Sequence, residues 1–352
     1  MIRSPIPWSI LLSLLVVVLG GLGALIALPG PIGHKVEVLR DLPDRFLTRF
    51  LPPRGGTRAQ MAPLEVEAVR NLSRRLDAEI VWSSNRGGNH DLYLLDLKSR
   101  RFRRLTDDPH VDTHPRFSPD GKRIVFMRSQ QQWVSLRDEK AWDLFVIDEG
   151  GSRELLLTRN GYAPYWTPDG RSVVFSRGNQ VVRFSLETNK EEIVLDGDQE
   201  IHDAHIAGGN PSPDGRQLAF SIRGVFDGVA IYDLSQHRLI PVGKDACQIV
   251  WAADGSLIWV AVGGEGGTQI MRMSQGRTAV FMDLPGAFSH EYFPRVSNDG
   301  HWLVWGASAG GHEHDRADYE IFVWQVGTPW DQAVRLTYDP NNDNWPDIHV
   351  NR

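Results

Sequence analysis

One unit recurs along this chain and restricts its fold more than any other feature. His114–Phe126 reads HPRFSPDGKRIVF: a short apolar strand, a tight turn closed by Asp-Gly, and a second strand rich in β-branched and aromatic residues. The pattern returns at Ala163–Phe175 (APYWTPDGRSVVF), Gly209–Phe220 (GNPSPDGRQLAF), Ile249–Val260 (IVWAADGSLIWV) and Phe293–Trp305 (FPRVSNDGHWLVW). The turn aspartates Asp120, Asp169, Asp214, Asp254 and Asp299 stand about 40 to 49 residues apart, the period of a four-stranded blade. A blade cannot bury both of its faces alone, so such repeats close into a ring.

The ends of the repeat array show how the ring closes. Glu79–Ser83, Asp91–Leu97 and Arg101–Thr106 read as three strands with no turn-bearing strand ahead of them. The missing inner strand lies at the other end, Trp345–Val350 (WPDIHV), whose Trp-Pro matches His114-Pro115 and Phe293-Pro294. Joining the two ends removes the exposed sheet edges. Inner strands near Pro115, Pro164, Asn210, Val250, Pro294 and Pro346 give six blades. The fold class expected is all-β, a six-bladed β-propeller over 79–352.

The region ahead of it has a different character. Trp8–Leu28 carries no charge and is long enough to cross a bilayer as a helix, without a small-x-small cleavage site after it. Residues 1–33 are expected to form an N-terminal transmembrane anchor helix and 34–78 a juxtamembrane linker with short helices. In that linker Asp41–Leu51 alternates arginines with Phe46, Leu47, Phe50 and Leu51, as an interfacial or packed amphipathic helix would. Leu64, Ala68, Leu72 and Leu76 recur at every fourth residue and suggest a helix leading into the ring. With 38 Lys and Arg against 44 Asp and Glu, the chain lacks the basic excess that non-specific nucleic-acid binding needs. The single cysteine, Cys247, permits no intramolecular disulfide and is expected in a buried strand.

The repeated SPDG turn, the loop Ser84–Asn89 before Asp91-Leu92-Tyr93, and the Arg-Leu-Thr strands at Arg104–Thr106 and Arg335–Thr337 resemble the TolB-type six-bladed propellers from about Glu79 to Arg352. The resemblance implies an exported propeller in the bacterial cell envelope and partners among envelope or membrane-complex proteins. It implies a periplasmic domain, which the apolar stretch Trp8–Leu28 is expected to tether to the inner membrane by a single pass. Lys35, Arg40, Arg45 and Arg49 just after the apolar stretch argue instead for a cytoplasmic side.

In a propeller the loop before each inner strand and the loop between the second and third strands emerge on one face. There three blades carry an acid three residues before the Pro or its equivalent, Asp112, Glu291 and Asp343, near His110, His114, His202, Asp203, His205 and His290. The loop Ala307–Asp318 adds His312, Glu313, His314, Asp315 and Asp318. Imidazoles beside carboxylates suit a divalent cation, with Asp112, His312, His314, Asp315 and Asp343 as the candidate ligands. The other reading makes the acids organisers of loop backbone and the face a partner surface, with Trp133, His290, Glu291, His312 and His314 as contacts. Trp133 sits in the long loop Ser129–Ala141, where an aromatic is a reasonable anchor for a partner. Two function classes follow, a non-enzymatic interaction scaffold and a metal-dependent lyase or hydrolase acting on an anionic saccharide. Gly306–Gly310 spells G-x-S-x-G, but a nucleophile elbow needs a helix after the strand, and GGHEHDRAD does not read as one. Trp82, Trp166, Trp251, Trp302, Trp305, Trp324 and Trp345 fall at strand positions and are expected to pack between blades.

Overall fold

A computed structural model describes residues 55–56, 60–264 and 267–351. The expected anchor over Trp8–Leu28 and the amphipathic stretch Asp41–Leu51 lie outside the described residues. Among those described, no helix is long and apolar enough to cross a membrane.

The described residues form 24 strands, β1 to β24, in six antiparallel four-stranded sheets. Five sheets use four consecutive strands. The sixth joins β24 (Asp343–Val350) to β1 (Ala78–Ser84), β2 (Asp91–Asp96) and β3 (Arg101–Arg104), so the last strand closes the ring as expected. The blades are numbered from this one. The inner strands of blades two to six are β4 (Asp112–Phe117), β8 (Tyr162–Trp166), β12 (Ala204–Pro211), β16 (Ala246–Trp251) and β20 (His290–Val296).

The SPDG turns are built alike. Asp120 accepts from the Ser118 hydroxyl at 2.6 Å and from the Lys122 N–H at 3.2 Å, and Asp214 does the same with Ser212 and Arg216. The glycine that follows takes a left-handed conformation, φ 75° at Gly121 and 71° at Gly215, which only glycine adopts without cost. These hydroxyl contacts hold the carboxyl groups of Asp120 and Asp214 below the usual aspartate range.

Helix α1 (Pro63–Leu72) belongs to the propeller rather than to a free linker. Its Val69 and Leu72, with Leu76 just beyond, pack with Ile80, Trp82 and Leu95 of blade one and Trp302 and Val304 of blade six. Trp82, Trp166, Trp302, Trp305 and Trp324 are buried as expected, whereas Trp251 is half-buried. Trp345 departs further and lines the central channel.

Candidate functional site

The three acids of the loop face share one place in their blades, and all are fully buried. Their surroundings differ because the residue across the sheet differs. Asp112 pairs in register with Arg128, Asp343 with Ser84 and Glu291 with Ala307. Arg128 grips Asp112 with two parallel bonds, Nε to Oδ1 at 2.6 Å and Nη2 to Oδ2 at 2.7 Å, and reaches on to Glu154. Burial pushes the Asp112 carboxyl up to about 6 against the pull of Arg128, which leaves it ionised at neutral pH.

Asp343 finds its cation two residues along the chain from Ser84. Arg86, fully buried, sets Nη2 at 3.0 Å from Asp343, 3.0 Å from Glu65 of α1 and 2.7 Å from Asp339. Its guanidinium also lies within 5.9 Å of the Trp82, Tyr93 and Phe102 ring centres. Burial opposes the Arg86 charge, and Asp343, Glu65 and Asp339 outweigh it, so its pKa rises. Glu65 also accepts from the Ala62 and Tyr338 N–H groups, which pins α1 to blades one and six.

Glu291 faces no arginine. The Leu284 N–H donates to it at 2.6 Å and the Thr268 hydroxyl stands at 3.5 Å. Burial pushes its carboxyl up to about 8, so it holds a proton at neutral pH.

These networks bear on metal binding. Among the described residues, one group of three, Glu65, Asp339 and Asp343, brings its ligand oxygens within 4.8 Å of one another. Arg86 contacts all three, so a guanidinium already supplies positive charge there. The five candidate metal ligands are divided among separate networks. Asp112 is held by Arg128, Asp343 by Arg86 and Trp82, and Asp315 by the Ser135 hydroxyl and Leu136 N–H. His314 packs edge-on to Tyr292 and Phe293, with ring centres 5.1 and 5.0 Å away, and His312 stacks on Tyr292 at 6.5 Å. Ser308, buried at the end of β21 (Trp302–Ser308), is followed by a loop rather than the helix a nucleophile elbow needs.

Two long loops interlock across this face. In blade two, residues 130–141 link β5 (Arg123–Ser129) to β6 (Trp142–Asp148), and in blade six 309–318 link β21 to β22 (Tyr319–Gln325). Blades two and six are not neighbours, since blade one separates them. Yet Asp315 accepts from Ser135 at 2.6 Å and Leu136 at 2.7 Å, and Arg137 meets Glu313 at 2.9 Å and the His312 carbonyl at 3.1 Å. On the other side Glu139 meets His205 of blade four at 2.7 Å. The blade-two loop thus bridges the channel mouth. Trp133 is half-buried against the core of blade two, and His290 is half-buried at the start of β20.

Beneath this bridge lies a cavity of about 510 Å³, lined by all six inner strands and by Leu136, Arg137, Glu139, His312 and His314. Each inner strand bulges toward it. Register shifts between Thr113 and Arg116, Tyr162 and Tyr165, Gly208 and Asn210, Cys247 and Val250, and Tyr292 and Arg295 mark five of the bulges, and β1 shifts against β24 in the same way. The bulged residues His114, Ala163, Gln248, Phe293 and Trp345 take φ of 53°, 50°, 56°, 60° and 52°, and Gly209 takes 145°. His114 stacks on Trp345 with centres 3.4 Å apart, and Trp345 meets Phe293 at 4.4 Å. Cys247 lines this channel half-buried rather than lying in a strand core, and burial pushes its thiol up to about 12. The paired arginines Arg86 and Arg128 escaped the sequence reading, although Arg128, opposite Asp112 across the Asp-Gly turn, was accessible from hairpin register.

Residues 77–200 match the family described as TolB beta propeller domain. Among solved structures, TolB from Acinetobacter baumannii aligns at a TM-score of 0.56 and 16% identity over 77% of this chain and 66% of its own. A protein described as putative TolB from Agrobacterium tumefaciens aligns at 0.54 and 13% over 78% and 99%. An oligogalacturonate lyase in complex with manganese reaches 0.48 and 15% over 81% and 78%, a likeness that carries no argument about metal. From blade closure to repeat signature, the described residues form a six-bladed β-propeller, and residues 77–200 of it match the TolB beta propeller domain.

Proposed function

We propose that this protein is a non-enzymatic scaffold of the bacterial cell envelope that docks envelope or membrane-complex proteins on the bridged face of its propeller. Its apolar stretch 8–28 anchors it in the inner membrane and the propeller stands in the periplasm. One observation carries the reading. Two acids of this face are taken up in loop-to-loop contacts, with Asp315 and Glu313 locked to Ser135, Leu136 and Arg137 across the channel mouth. Groups committed in this way shape a rigid relief rather than a reacting centre. His290, Glu291, His312 and His314 support that relief, and the half-buried Trp133 at its blade-two edge is the anchor for a partner.

The test is affinity purification of the tagged full-length protein in mild detergent, with metal analysis of the same sample. A stable partner, substoichiometric metal, and loss of that partner in Trp133→Ala combined with Arg137→Ala are expected. A propeller without partners that carries about one metal per chain, lost in His312→Ala and His314→Ala, would overturn the scaffold in favour of a metal-dependent lyase or hydrolase. Orientation is read separately from C-terminal fusions. Active alkaline phosphatase is expected, and fluorescent green fluorescent protein with inactive phosphatase would place the propeller in the cytoplasm.

A further inference from the structure

The channel below the aromatic ring holds two arginines, neither of which is in an ion pair with a carboxylate among the described residues. Two residues after the bulge, the inner strands of blades two and six carry Arg116 and Arg295, only 5% and 8% exposed, and both line the central cavity. Arg295 extends from blade six to lie 4.9 Å from the ring centre of Tyr165, which belongs to blade three on the opposite side of the ring. It therefore crosses the channel. Among the described residues it has no hydrogen-bond acceptor and no carboxylate within 4.0 Å. Arg116 donates only to main-chain carbonyls, those of Pro115 at 2.6 Å and Trp345 at 3.5 Å, and stands 5.8 Å from the Trp345 ring centre.

The acid at the same tier does not offset them. Asp347 of blade one accepts from the Phe117 N–H at 2.8 Å and forms an ion pair with neither arginine. Burial, and next the charge of Arg295, pull the Arg116 pKa down to about 9, with Asp347 acting the other way more weakly. Two buried like charges facing one cavity are costly unless a counter-charge joins them.

We infer that the propeller channel binds an oxyanion, a carboxylate or a phosphate, between the guanidinium groups of Arg116 and Arg295. The geometry suits it. Guanidinium forks present paired N–H donors to such anions, and the walls at Tyr162, Tyr165 and Gln248 leave room beside them. The inference goes beyond the scaffold reading and does not depend on it.

Thermal unfolding of the full chain in sodium acetate and in sodium phosphate, each against sodium chloride at matched ionic strength, tests it. A saturable rise in Tm of about 2–4 °C in one oxyanion or both is expected. Acetate alone would assign a carboxylate ligand, and phosphate alone a phosphate. Arg295→Gln should abolish the rise while matching or exceeding the parent Tm in chloride, since it removes the like-charge contact. Arg295→Lys should keep a reduced rise. No rise beyond chloride, or a rise that survives in Arg295→Gln, would overturn the inference.

Discussion

The ring has two unlike halves. Blades six, one and two place an acid at the head of the inner strand, Glu291, Asp343 and Asp112, and an aromatic ring at the bulge, Phe293, Trp345 and His114. Blades three, four and five have Gly161, Ala207 and Ala246 where the acids would be, and Ala163, Gly209 and Gln248 at the bulge. One backbone device, repeated six times, thus carries two different loads. In the first half the bulge crowds rings into the channel and buried acids tie the loops above them. In the second the same bulge leaves space. The blade-two loop then ties the crowded half to the open one, through Glu139 and His205. Fold and cargo are separable here, because hairpin register sets the bulge while the side chains at two positions per blade set what it presents.

The crowded half depends most on Arg86. Arg86→Met would leave Glu65, Asp339 and Asp343 together, two of them fully buried, without a counter-charge. Removing one partner of a buried ionic network costs about 3–5 kcal/mol. Urea unfolding should show that loss at neutral pH, and adding Asp343→Asn should return part of it. A loss below about 1 kcal/mol would mean that this half is held by its apolar seam alone.

Arg128→Met is the next largest. It would turn Asp112 into a second Glu291, a buried acid with no arginine across the sheet. The loss should be about 2–4 kcal/mol at neutral pH, smaller than for Arg86 because Glu154 on the far side is one-third exposed. The sign follows from protonation. With its cation gone, the Asp112 carboxyl rises further above the ordinary aspartate value, and the folded state gains a proton to lose as pH rises. The deficit should therefore be smaller at pH 5 than at pH 8. An equal deficit at both would show that Asp112 stays ionised without its arginine.

The sequence disclosed the backbone of this design more fully than its cargo. Asp-Gly turns have few conformational solutions, so SPDG at a blade period revealed six blades, and the unmatched strands at each end revealed the closure. The three acids were legible too, because each stands at a fixed offset from the inner-strand Pro. Their partners were harder to find. Arg86 reaches Asp343 from 257 residues away, and Arg137 joins Glu313 across 176. Such pairings depend on ring closure and loop reach, which no local spacing encodes. Trp345 shows the same limit: its strand position reads as core, and the bulge turns it into the channel.

Glu291 offers a test within the crowded half, on the blade that lacks an arginine. Its carboxyl moves from an ordinary 4.5 to about 8 in the fold. A raised acid contributes stability that is fully present below the unfolded value and is lost as pH rises through the folded one. Glu291→Gln keeps the shape and the acceptor for Leu284 and removes the titration. Relative to the parent it should gain on the order of 2 kcal/mol between pH 5 and pH 8, read as a flatter stability profile. A constant difference across that range would place the Glu291 proton elsewhere.

The smallest effect separates the halves by sign. Ala163 holds φ 50° in the open half, a left-handed conformation that costs a residue with a Cβ roughly 1 kcal/mol. Its methyl group is the whole of its side chain, and blade four already has glycine at the matching position, Gly209. Ala163→Gly should therefore raise stability by about 0.5–1 kcal/mol, seen as a higher urea midpoint with an unchanged slope. Trp345→Gly relieves the same strain at φ 52° but deletes the ring that His114 and Phe293 pack against, and should destabilise. Opposite signs at two matching bulges would show that the backbone strain is common to the ring and that the aromatic half alone offsets it by packing.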